Sequence, residues 1–97
     1  MATFVILASF TDQGIRSVKD TTKRADTFVQ MAEKAGVKIR DLFWTLGRHD
    51  VVAIGEAPDD ETATALSLSL SAQGNVRTET LRAFSREEMT ALIGKMA

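Results

Sequence analysis

Residues 3–10, TFVILASF, are apolar on both of the alternating faces that a β-strand presents. The run is rich in β-branched and aromatic residues, and the turn-prone TDQG ends it. A strand of this kind has to be covered on two sides. With 97 residues the chain has the size of one ordinary domain, so few elements remain to supply a second cover. The first sign of a partner subunit is therefore already in the opening residues.

The rest of the chain alternates between two periods. Asp20, Thr21 or Thr22 can cap a helix with Ala25, Phe28, Ala32 and Ala35 on one stripe, and Gly36 ends it. VKIRDLFWTL is extended and slips its alternation at Asp41–Leu42, where a β-bulge restores the pleat. VVAIGE, Val51 to Glu56, forms the next strand. Between the two, Gly47-Arg48 fits a two-residue hairpin loop in which Gly47 takes positive φ. In APDDETATALSLSLSAQG the serines alternate with leucines as in a strand. Yet Asp59 or Asp60 offers an N-cap, Pro58 and the acids suit a helix start, and Ala63, Leu66 and Leu70 share a helical face, so a helix is expected. Asn75–Phe84 alternates again, and Ser85 with Glu88 makes a capping box for a last helix whose apolar side is Met89, Leu92, Ile93 and Met96.

The order β-α-β-β-α-β-α predicts an α+β, ferredoxin-like arrangement: a four-stranded antiparallel sheet with both main helices on one face and a C-terminal helix. At roughly 25 cal/mol per Å², several hundred Å² of apolar sheet left in water costs on the order of 10 kcal/mol, comparable with the whole stability of a small domain. Two sheets are therefore expected to pack face to face in a symmetric homodimer, which can assemble further.

Composition excludes several classes of function. Twelve Lys and Arg against thirteen Asp and Glu, with no dense basic cluster, argue against a nucleic-acid partner. No cysteine is present, which removes disulfides, thiolate nucleophiles and cysteine-ligated metal centres. FVILA is too short to span a bilayer and lacks the flanks of a secretory signal, so a cytoplasmic protein without membrane contact is expected. The chain has neither a G-x-S-x-G motif nor a Gly-rich phosphate loop.

WTLGRHDVVAIGEAPDD, followed by SLSLSAQGNVRTETLRAFSREEM, resembles the GYD domain family of small bacterial proteins, as does the opening FVILASFTDQGIRSVKDTTKRAD. The resemblance covers essentially the whole chain, so residues 1–97 read as a single GYD-like domain. It implies a ferredoxin-like fold of the dimeric α+β barrel kind and no established reaction. The family takes its name from a Gly, Tyr, Asp signature. This chain carries Gly47 and Asp50 but places His49 where the tyrosine would stand.

The candidate site gathers around that turn. His49 and Asp50 invite a catalytic dyad, but neighbours along a strand point to opposite faces, so a structural turn of Gly47 and Asp50 is the simpler reading. Trp44, Leu46, His49 and Val51 are expected to share one face of the hairpin. That wall would serve as core or interface, or line a pocket in which Arg77 or Arg48 reaches an anionic or carbonyl group. Gly74 and Asn75 form a second turn at the end of the helix before them. One histidine gives no metal-ligand spacing, so no metal and no cofactor are expected. Three functions remain open. The first is a homo-oligomeric module that binds a small organic molecule. The second is a cofactor-free monooxygenase-like or isomerase-like enzyme working near Trp44, His49 and Arg77. The third is a haem or metal binder through His49.

Overall fold

The computed structural model describes residues 1–97. Four strands, β1 (Ala2–Phe10), β2 (Lys38–Trp44), β3 (Val51–Ala57) and β4 (Val76–Ala83), form one sheet in the order β2-β3-β1-β4, with every neighbouring pair antiparallel. Helix α2 (Thr21–Lys34) connects β1 to β2, with a short helix α1 (Asp12–Arg16) before it; α3 (Asp60–Ala72) connects β3 to β4, and α4 (Arg86–Ile93) follows the last strand. This is the ferredoxin-like α+β architecture.

Alternation along β1 fixes the layers. Phe4, Ile6 and Ala8 are buried, and Phe4 and Ile6 join Phe28 and Ala32 of α2, Ala63 and Leu66 of α3, and the small residues Ala53 and Ala57 of β3 in one core. Of the stripe expected on α2, Phe28 and Ala32 are buried, Ala25 is half-buried and Ala35 is exposed. On α3, Ser67 is buried and Ser71 half-buried; both turn to the sheet and pair with Thr80 and Thr78 at 2.9 and 3.1 Å. Hydroxyl pairs thus satisfy the polar positions that give this segment its strand-like alternation.

The other face of the sheet carries Val5 and Leu7 of β1, Val52 and Ile54 of β3, Phe43 of β2 and Leu81 of β4. Phe43 is 56% exposed and Leu81 46%. No helix packs across this face. The molecule measures 50 × 30 × 19 Å, and its thinnest direction accommodates one helix layer on one sheet, which stack about 10 Å apart, and no third layer. Helix α4 extends from the end of β4 with Met89, Leu92, Ile93 and Met96 all exposed.

Local features differ from the expectation at three places. The bulge falls at Arg40, between Ile39 and Asp41, one residue earlier than the alternation suggests. Leu42 and Trp44 face the helices because of it, and Asp41 and Phe43 the open side. The hairpin loop is longer than two residues. Thr45 N–H donates to the Asp50 carbonyl at 2.8 Å and Thr45 Oγ1 to the His49 carbonyl at 2.7 Å, so Leu46–His49 form the loop, with Gly47 at φ 106°. The third difference is a pair of short helical turns before α2: α1 and a 3₁₀ turn at Val18–Asp20. Thr11 caps α1 by accepting from Gly14 N–H at 3.1 Å, and its hydroxyl also reaches the Gly74 carbonyl. Asp20 stands at the start of α2 without a side-chain capping bond.

The turn at Gly74-Asn75 is docked on α1. Thr11 N–H donates to the Asn75 carbonyl at 3.1 Å, and a Cβ at Gly14 would lie 1.9 Å from that same oxygen. Gly14→Ala therefore forces two backbones apart. An overpacking cost of about 1–3 kcal/mol is expected, read as a lower urea midpoint at unchanged slope.

The expected caps on the later helices are present. Asp59 accepts from Thr62 N–H at 2.7 Å, and hydrogen bonds from Thr62 hold its carboxyl below the usual aspartate value. Ser85 and Glu88 form the reciprocal capping box of α4, and the Ser85 backbone N–H, helped by Arg82, lowers the Glu88 carboxyl. A carboxyl lowered by folding stabilises fully above its unfolded value and loses that contribution as the pH falls through the lowered one. The α4 amides should accordingly lose exchange protection on acidification below the ordinary glutamate range. Glu88→Gln should flatten that dependence.

Candidate functional site

At the end of the sheet where β1 and β2 finish and β3 and β4 begin, α2 and α3 diverge and leave a cleft. Its floor is Ile6, Ala8 and Phe10 of β1 with Val51 and Ala53 of β3. Ala8 and Ala53 make it deep, because a larger side chain at either position would fill the gap between the helices. One wall is the first half of α2, from Thr21 through Arg24 and Ala25 to Phe28, joined by Leu42 and Trp44 of β2. Leu70, Gln73, Asn75 and Val76 close the other side. About 60 Å³ of the cleft is open to the centres of water molecules.

The structure brings Trp44 into this cleft because the bulge at Arg40 sets the pleat of β2. Its indole Nε1–H donates to Thr21 Oγ1 at 3.0 Å, tying the strand end to the start of α2. Arg24 lies on the same wall. Its Nη1 donates to the Ser17 carbonyl at 2.7 Å and to Ser17 Oγ at 3.1 Å, and its Nη2 to the Gly14 carbonyl at 3.2 Å. No carboxylate lies within ion-pair distance of it, whereas Arg40, Arg82 and His49 each have one.

The other residues singled out from the sequence lie elsewhere. The hairpin tip bends over the opposite side of the sheet, where Ser9 Oγ donates to the Arg48 carbonyl at 3.2 Å. There His49 Nε2 stands 3.9 Å from Glu79 Oε2. Arg77 pairs with Ser9 and Glu79 with Leu7 in the ladder, which places both on the open face. Leu46 is fully exposed at the tip. The single wall expected of Trp44, Leu46, His49 and Val51 is therefore divided. Trp44 and Val51 oppose each other and face the helices, and the four-residue loop carries Leu46 and His49 away. Within one chain, Trp44, His49 and Arg77 line no common cleft. Nor do any three of the chain's His, Asp and Glu side chains converge as a metal site would require.

His49 and Asp50 point apart. Asp50 Oδ2 accepts from Phe10 N–H at 2.8 Å, Asp50 N–H donates to the Ala8 carbonyl at 2.8 Å, and its carbonyl receives Thr45 N–H. This one residue joins the hairpin to the end of β1. Arg24 escapes a reading of the sequence because its helical position looks like any solvated cation, and only the fold of residues 11–20 beneath it shows how it is held. Asn75 reads correctly as a turn residue, and its carboxamide oxygen also accepts from Gln13 Nε2 at 3.0 Å.

Such a fold and cleft define a class: a ferredoxin-like α+β module with one sheet face bare and a small apolar pocket on the other. The chain belongs to the GYD domain family, which it matches over residues 4–93. It is also 32% identical over 92 residues, 94% of this chain and 97% of the relative, to a glutamine synthetase and cystathionine beta-lyase binding protein of Thermus thermophilus.

Asp50→Ala leaves the half-buried Phe10 N–H without its acceptor. A loss of about 1–3 kcal/mol is expected, together with faster amide exchange at Phe10, while α3 and α4 keep their helical signal.

Proposed function

We propose that this protein is a homodimeric binding module. A second copy covers the open sheet face, a partner enzyme docks on the resulting dimer, and the cleft beside Trp44 takes a small organic molecule. The observation that carries the reading is the uncovered face: Val5, Leu7, Val52, Ile54, Phe43 and Leu81 form a continuous apolar surface across all four strands. Strand spacing makes this face on the order of 25 by 20 Å. With the exposed apolar side of α4 added, it approaches the roughly 800 Å² per partner that stable interfaces bury. A flat sheet face copied by a twofold axis meets an identical surface, which makes self-association the direct way to cover it.

The enzyme-binding part is supported by the relative from Thermus thermophilus, whose name gives two enzymes as its partners and which matches nearly end to end. A binding role also suits the geometry of the titratable groups. Asp50 is committed to a backbone amide and His49 faces Glu79 at the surface, so neither is poised in the cleft for proton transfer.

Sedimentation of the wild type should give a dimer down to micromolar dilution. Leu7→Glu, at the centre of the open face, should give a folded monomer with unchanged far-UV circular dichroism. A wild-type monomer with a hydrated sheet face would remove the dimer. Biolayer interferometry against purified glutamine synthetase and cystathionine beta-lyase tests the second part: saturable binding of at least one enzyme supports it, and a flat response from both rejects it.

A further inference from the structure

We infer that the cleft between α2 and α3 is a site for a small aromatic monocarboxylate, with Arg24 as its anion-binding residue. This rests on the ligand-pocket part of the proposed function and names its chemistry.

Size comes first. The cleft's 60 Å³ is less than half of the roughly 150 Å³ cavity that encloses benzene, so a guest enters it edge first and stays partly in solvent. Phe10, Phe28 and Trp44 contribute three aromatic side chains to the walls, and Leu42 and Leu70 fill in between. Aromatic walls favour a planar apolar guest through offset and edge contacts.

Charge comes next. Three hydrogen bonds to Ser17 and Gly14 fix the Arg24 guanidinium, and these use three of its five N–H groups. All three acceptors are neutral oxygens, so the cation is held in place without being neutralised. The remaining N–H groups have no protein acceptor, and a carboxylate is the planar anion that a guanidinium takes most strongly. Of the neutral lining groups, Trp44 Nε1–H is bonded to Thr21 and the Asn75 carboxamide oxygen to Gln13, so Arg24 supplies the only charge. A held cation lacking an acid, on the wall of a small apolar cleft, selects an apolar body bearing one negative charge.

The test uses the intact wild-type protein, titrated with benzoate and phenylacetate by calorimetry and by the fluorescence of Trp44, the chain's only tryptophan. Saturable binding is expected, with benzamide weaker by about tenfold, the worth of a charge-assisted contact over a neutral one. Arg24→Gln should bring benzoate down to the affinity of benzamide and leave benzamide unchanged, which also shows that the cleft is still folded. Ala25→Leu, which fills the cleft and leaves Arg24 in place, should abolish both. Equal affinity for benzoate and benzamide in the wild type overturns the anion assignment while the pocket stands. No binding of either overturns the pocket as well. Benzoate binding that survives Ala25→Leu places the ligand elsewhere and overturns the site.

Discussion

The structure depends on a sheet whose strands are apolar on both sides while the chain supplies helices for only one. Phe4 and Ile6 of β1 close the core against α2 and α3; Val5 and Leu7 between them are half-buried among neighbouring strands, with no helix layer over them. Burial of apolar area is the dominant favourable contribution to folding a domain of this size, and its conformational entropy is of comparable magnitude. One of the sheet's two apolar faces is left without a covering layer in this chain. The same constraint explains the thin shape and the projecting apolar side of α4, which has no partner in its own chain.

One extra residue then decides which side chains belong to which side. With Arg40 bulged out, Leu42 and Trp44 turn toward α2 while Asp41 and Phe43 turn away. A ladder without that bulge would exchange the two sets, placing Trp44 on the open face and emptying the cleft of its largest wall. The pocket and the expected interface thus share a sheet one backbone thick, with residues adjacent in sequence serving opposite faces. Leu7 and Ala8, or Phe43 and Trp44, are neighbours in the chain and belong to different surfaces.

Hydrophobic period and capping chemistry made much of the fold legible in the sequence. The four strands, the two main helices, the capping box at Ser85 and Glu88, the positive φ at Gly47 and the helix-ending turn at Gly74 all come from local rules, and the element order then leads to the ferredoxin-like arrangement. Contacts between residues distant in the chain were not legible. Nothing local in TDQGIRSVKD announces that Thr11 will cap one helical turn and also hold the carbonyl of Gly74, or that Gly14 must lie against Asn75. Arg24 takes its place from those contacts, so the cation on the cleft wall was hidden for the same reason. The hairpin loop departs from expectation because Gly47-Arg48 fits a two-residue turn by type, whereas the bonds from Thr45 to His49 and Asp50 close a longer one.

The three positions of the family signature can now be separated by what each does in this chain. Gly47 stands at φ 106°, a backbone region that costs a side chain and that the loop requires. Asp50 uses its carboxylate and its N–H to bind the end of β1 and its carbonyl to close the hairpin on Thr45, and a hydrocarbon side chain there would keep the two backbone bonds and lose the third. His49 fills neither role. Its ring points to Glu79 across the edge of the open face, and only its carbonyl takes part in the loop. Glycine and aspartate are thus engaged by the loop geometry, while the ring between them lies along the sheet with its polar end toward Glu79. Because His49 enters the joint only through its backbone carbonyl, its ring bears on what that edge presents and not on the joint itself.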